Sequence, residues 1–209
     1  YSLQRTYALS KLESAMMPAI QVGLLVLVVT APAFIFFSQK GPGAMHAPWL
    51  ISLAAGLVVG GLSQVSRLCT VGGFRDLFLF KKSILIFGYL AVLIGVFVVN
   101  ISFGNFHLGF ENQPIAHTDG LWNFLGMALA GFCSVLLGGC PLRQLIMTGE
   151  GNSDSAVTVL GLAAGAAFAH NFGLAATGAG PTLNGEIAVG VGFVVALIIA
   201  ILNTKRVNA

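Results

Sequence analysis

Six runs of apolar residues, each close to twenty residues long, govern what this chain can become. They cover about 18–37, 49–67, 83–103, 121–139, 155–175 and 186–202. A bilayer core of about 30 Å is crossed by roughly 20 residues of helix, so each run suits one crossing. Backbone N–H and C=O groups inside lipid must be satisfied within the protein, which leaves helices or closed barrels. The period-two alternation that barrel strands need is absent. The expectation is an all-α, polytopic transmembrane protein with about six membrane helices, forming one integral membrane domain over residues 1–209.

Composition supports this. Of the 209 residues 56% are hydrophobic and 8% are charged, against about 25% charged in an ordinary soluble domain. So few charges cannot solvate the outer surface. The net charge of +3 does not point to nucleic acid, because the basic residues are spread along the chain at helix ends. Three cysteines, Cys69, Cys133 and Cys140, come with no CxxC and no Cys/His ligand spacing, which argues against a disulfide framework or a structural zinc site. Neither a metal nor another cofactor is expected.

Lysine and arginine set the orientation. With the N-terminus cytoplasmic, Arg5, Lys11, Arg67, Arg75, Lys81, Lys82, Arg143, Lys205 and Arg206 fall inside, and Lys40 alone falls outside. Glu111 and Asp119 then lie outside, and Trp49 and Trp122 open the second and fourth spans at the outer interface, where indole rings prefer to sit. Both termini are expected in the cytoplasm.

The chain also resembles itself. GLVVGGLSQVSRLCTVGGFRDLFL (56–79) and GMALAGFCSVLLGGCPLRQLIM (126–147) share G-x4-G, a later cysteine and then Arg-x-Leu. Aligned with small gaps, they suggest a parallel repeat with units of about 49–103 and 121–175. In transporters built from repeats, the site lies at the repeat interface.

Both copies place a thiol beside glycines and a guanidinium at the end of a span. In GGCPLR, Gly138 and Gly139 bend or break the helix. Pro141 suits the first turn of a new one, making Cys140 its N-cap. The free amides and dipole of a helix N-terminus favour an anion, and Arg143 stands one turn on. RLCTVGGFR is looser: Cys69 ends the second span, Gly72 and Gly73 break it, and Arg75 follows. Short or broken helices are therefore expected after the second and fourth spans.

Plainer roles fit other residues. Gly56, Gly60, Gly126 and Gly131 suit close helix packing, and Cys133 reads as an inert thiol among small residues. For Arg75 and Arg143 a topology charge and a local role are both open. His170 and Asn171 are intramembrane polar residues that suit a hydrogen bond near a helix end. His107 and His117 lie in an outer loop without ligand spacing. EGNSD (150–154) reads as a turn followed by an N-cap, Ser153 or Asp154, for the fifth span.

RLCTVGGFRD together with GGCPLRQLIMTGEGN resembles the YeeE/YedE family of sulfur transporters, and with the later AHNFG it looks most like the YedE branch of selenium transporters. The likeness covers about 56–175. It implies a multi-pass protein of the bacterial inner membrane that moves a small sulfur- or selenium-containing anion, such as thiosulfate, inward through a cysteine-lined pore. By the same likeness Cys69 and Cys140 are the pathway cysteines, flanked by Gly72, Gly73, Gly138, Gly139, Pro141, Arg75 and Arg143. Whole family members are larger, so the chain looks like a C-terminal half, and a second half, a partner chain or another copy is expected to complete the pore. Two other readings stand beside it. One is a membrane thiol-redox or sulfur-transfer protein with Cys140 as nucleophile and Cys69 as resolving thiol. The other is a non-transporting subunit of a larger membrane complex.

Overall fold

A computed structural model describes residues 11–30, 47–109 and 117–203. Among these, eight helices follow one another: α1 (Lys11–Thr30), α2 (Trp49–Ser66), α3 (Thr70–Phe80), α4 (Ile84–Ser102), α5 (Gly120–Leu136), α6 (Pro141–Gly149), α7 (Ser153–Asn171) and α8 (Leu183–Asn203). The described residues form no β-strand; an isolated pairing of Thr177 with Gly180 closes the turn before α8. The all-α expectation holds, including a short helix after each of the second and fourth apolar runs. Residues 31–37 of the first run lie outside the described residues, as do Arg5, Lys40, Glu111, Lys205 and Arg206 of the charge argument.

Four stretches are long and apolar enough to cross a membrane: Trp49–Phe80, Ile84–Ser102, Gly120–Gly149 and Leu183–Asn203. They correspond to the second, third, fourth and sixth predicted runs. The fifth is helical as α7 but less apolar, because Ser153, Asp154, Ser155, Thr158, His170 and Asn171 punctuate a run of alanines and glycines. The first is helical as far as it is described, and its helix starts at Lys11 and runs through Pro18. A proline inside a helix is tolerated more readily in a membrane than in water.

The apolar surface confirms what solvates these helices. On α4, Phe87, Val92, Leu93, Ile94, Val96 and Val98 are all exposed, and no residue of the helix is buried. A soluble protein does not leave a contiguous apolar surface of that kind in water. The chain is a multi-pass membrane protein.

The described residues form two compact units. One comprises residues up to Leu68 with Leu142–Val159, and the other comprises Cys69–Pro141 with residues from Leu160 onward. In the second unit α3 packs on α4 and α5 packs on α8. Gly73 makes the first contact possible: a Cβ there would lie 3.4 Å from the backbone N of Ile86. Phe74 and Tyr89 extend it with ring centroids 6.4 Å apart. On the other pair, Leu129 of α5 seats against Gly192 of α8, where a Cβ would come within 2.6 Å of Leu129 Cδ2. Small residues let membrane helices approach closely, since dispersion rather than exclusion from water holds them.

The α5–α8 contact yields a prediction. Gly192→Leu should overpack the seat and cost about 1–3 kcal/mol, read as a lower melting temperature in detergent. Removing the opposing side chain with Leu129→Ala should recover most of that loss in the double variant.

Candidate functional site

The two cysteine segments are built by the same backbone device. Helix α2 stops because Arg67 takes the left-handed conformation, with φ 51° and ψ 34°. The Arg67 N–H donates to the Gln64 carbonyl at 3.2 Å and the Leu68 N–H to the Ser63 carbonyl at 3.1 Å. Helix α5 stops at Gly138, whose φ is 75°. There the Gly138 N–H donates to the Val135 carbonyl and the Gly139 N–H to the Ser134 carbonyl, both at 3.1 Å. Each pair is a Schellman end, which satisfies two of the carbonyls a helix terminus leaves open. One residue later comes a cysteine, and the next residue begins a short helix. The segments thus correspond residue for residue, from Ser63 with Ser134 to Cys69 with Cys140. All four of these residues are buried.

Cys69 is the N-cap of α3. Its backbone is extended, with φ −155° and ψ 117°, and its Sγ accepts the Gly72 N–H at 3.3 Å. A sulfur thus takes the place of the usual Ser, Thr or Asp oxygen at this position. Cys140 directly precedes α6, which starts at Pro141 as the sequence predicts. No disulfide joins the three cysteines, and Cys133 is half-buried on α5.

Two expectations need correcting. Gly72 and Gly73 do not break the second span; they lie buried in the first turn of α3, and the break is at Arg67. What they provide is room, because a Cβ on Gly72 would stand 3.3 Å from Cys69 Cβ and 3.4 Å from its Sγ. The N-cap of α7 is neither Ser153 nor Asp154. Asn152 Oδ1 accepts the Ser155 N–H at 3.0 Å, one residue after Gly151, which ends α6 at φ 86°.

A cavity of about 420 Å³ opens between α3 and α5. Gly72, Phe74 and Arg75 line it from α3, and Gly131, Val135 and Gly138 from the other side. Three predicted site residues, Gly72, Arg75 and Gly138, therefore share one wall-to-wall space beside the Cys69 cap. Cys69, Gly73, Gly139, Cys140, Pro141 and Arg143 are not part of its lining. Arg75 lies at the lip, paired with Asp76 at 2.9 Å, and its side chain is 55% exposed. In the other unit, Arg143 donates from Nη1 to Gln64 Oε1 at 3.2 Å and approaches Glu150 at 3.8 Å. Gln64 was missed in the sequence, although a polar side chain within an apolar run is a signal in itself. Buried Gln144 and Thr148 line the inner face of α6, where the Thr148 hydroxyl donates to the Gln144 carbonyl at 2.8 Å.

The remaining polar residues have local structural roles. Asn171 Nδ2 donates to the Ala167 carbonyl at 2.8 Å. Asp119 caps α5 by accepting the Trp122 N–H, and His117 Nδ1 accepts the Asp119 N–H. Among the described residues no group of three or more His, Cys, Asp or Glu side chains is placed to hold a metal.

Residues 65–205, which contain all three cysteines and the cavity, match the family described as sulphur transport. The chain belongs to that family. A curated relative, the thiosulfate transporter TsuA of Escherichia coli (strain K12), is 30% identical over 111 residues. That match takes in 51% of this chain and 30% of the relative, so less than a third of the relative's length is represented. No solved structure matches the chain.

The Gly72 contact is testable by chemistry. Gly72→Ala should push Cys69 Sγ off the amide it caps and raise the rate at which Cys69 reacts with N-ethylmaleimide several-fold. Gly126→Ala, at a position with no atom within 4 Å of a new Cβ, should leave that rate unchanged.

Proposed function

We propose that the chain is a permease, or one half of one, for a small sulfur-containing anion such as thiosulfate, and that selenium analogues fall in its substrate class. The observation that carries this reading is the paired corner: within a sulphur transport family chain, a cysteine stands at the mouth of a short helix twice, each time at the end of a broken span. A helix mouth presents amide N–H groups and the positive end of the dipole, which suit an anion. At Cys69 one of those amides already bonds Sγ, so the sulfur acts there as acceptor while its S–H stays available to donate. A thiol can in this way hydrogen-bond the terminal sulfur of the substrate weakly enough to let it go, as conduction requires.

The proposed path runs past Cys69 and Cys140. Gly72, Gly73, Gly138 and Gly139 let the anion come close to backbone, Pro141 starts the second short helix, and Arg75 offers charge from the cavity lip. Arg143 contributes through the helix it holds. The orientation follows the basic residues: both termini in the cytoplasm of a bacterial inner membrane, with the anion moving inward. The units 49–103 and 121–175 act as repeats of one membrane domain, and a further half, a partner chain or a second copy closes the pore. The known relative matches only in part, and its printed name as a thiosulfate transporter supports the choice of substrate.

Uptake of labelled thiosulfate into cells lacking their own uptake system tests the reading. Cys69→Ser and Cys140→Ser together should reduce uptake by at least tenfold, with the protein still present in the membrane. Undiminished uptake by the double variant would remove the cysteines from the path.

A further inference from the structure

The correspondence between the two corners extends from backbone to side chains, and there it breaks in one informative place. Continuing the register, Gly72 of α3 matches Arg143 of α6, and Val135 of α5 matches Gln64 of α2. Gly72 and Val135 both line the α3–α5 cavity. Their counterparts, Arg143 and Gln64, are joined by a hydrogen bond of 3.2 Å. Where one corner carries a glycine and a valine, the other carries a guanidinium and an amide joined to each other. Glu150 completes the arrangement at 3.8 Å from the same guanidinium. The Arg143 side chain is 20% exposed, against 55% for Arg75.

We infer that Arg143 is the brace of the α2–α6 corner, and that Gln64 and Glu150 are the positioning residues that hold it there. A guanidinium with an amide on one side and a carboxylate on the other has its charge largely offset and its donors partly used. That arrangement suits a fixed structural element better than a ligand for a passing anion. Because Arg143 lies one turn into α6, fixing it fixes the helix mouth where Cys140 stands. The two cysteines are buried alike, and the corners differ in the side chains around them: at the Cys140 corner a guanidinium ties α6 to α2. Only the consequence for transport rests on the permease reading. The brace itself does not.

The test is thiol reactivity of the full chain in membranes, with Cys69→Ser and Cys133→Ser leaving Cys140 as the single thiol. Its rate of reaction with N-ethylmaleimide reports how often the α6 mouth opens. Arg143→Met and Gln64→Leu should each raise that rate by about tenfold, the scale of losing a hydrogen bond to a charged group. The two together should go no further than the larger single effect, since both remove one interaction. The exchange Gln64→Glu with Glu150→Gln moves the carboxylate across the guanidinium, and should keep Cys140 as slow as in the unaltered protein. An unchanged rate in Arg143→Met, or an exchange variant as fast as Arg143→Met, overturns the inference. So does a rise in KM for thiosulfate in Arg143→Met without any change in labelling, which would make Arg143 a direct ligand. Labelling is read without substrate, so it decides the brace whether or not the chain takes up thiosulfate.

Discussion

A helix that breaks inside a membrane protein exposes carbonyls that lipid cannot satisfy, and the architecture of this chain is organised around that cost. Each unsatisfied backbone group in hydrocarbon costs several kcal/mol. Both breaks meet the requirement in the same way, by folding the last carbonyls of α2 and α5 back onto two N–H groups of the following turn. The chain then restarts as a helix after one further residue and a cysteine. Restarting creates open amides at the new N-terminus, and at α3 the Cys69 sulfur takes one of them. The position of each thiol is thus a consequence of how the break is closed, and the chemistry of the helix mouth comes with it.

The same constraint explains why the two corners read so differently in sequence. The left-handed residue that ends a helix is usually glycine, because a Cβ there costs roughly 1–2 kcal/mol. Gly138 follows that usage, so GGCPLR could be parsed correctly: break, cysteine, proline at the first helical position. At the other corner the left-handed residue is Arg67, which carries no such signal. The glycines that drew attention, Gly72 and Gly73, serve packing against Cys69 and Ile86 and have nothing to do with the break. The gaps between the two segments come from matching Gly56 with Gly126 and Arg75 with Arg143, residues that do not share a place in the two corners. Matched by hydrogen bonds, the corners align without gaps.

The all-α membrane class and four of the six spans were legible because apolar length is a direct demand of bilayer thickness. The less apolar α7 shows the limit of that signal: a helix of alanine and glycine is defined by its neighbours and ends as much as by its hydropathy. Its ends were half legible. EGNSD announced a turn and a cap, but the choice among Asn152, Ser153 and Asp154 depended on where α6 let go, at Gly151. Asn152, one residue beyond, is placed to reach the Ser155 amide.

Gln64 and Arg143 could not have been paired from sequence, because they are distant in the chain and Gln64 belongs to no motif that the two segments share. Their meaning comes from comparison within the molecule. Two corners with one backbone plan form a controlled experiment, in which any side chain present at one and missing at the other must answer to a difference in task. At the Cys69 corner glycine and valine are among the residues that line a cavity of about 420 Å³, and at the Cys140 corner arginine and glutamine fill the corresponding positions. Filling costs desolvation of a guanidinium, which Gln64 and Glu150 offset. Two corners built only to repeat each other would have no reason to carry that cost at one of them. The asymmetry is therefore evidence that the corners differ, with the glycine side bordering a cavity and the arginine side tying one helix to another.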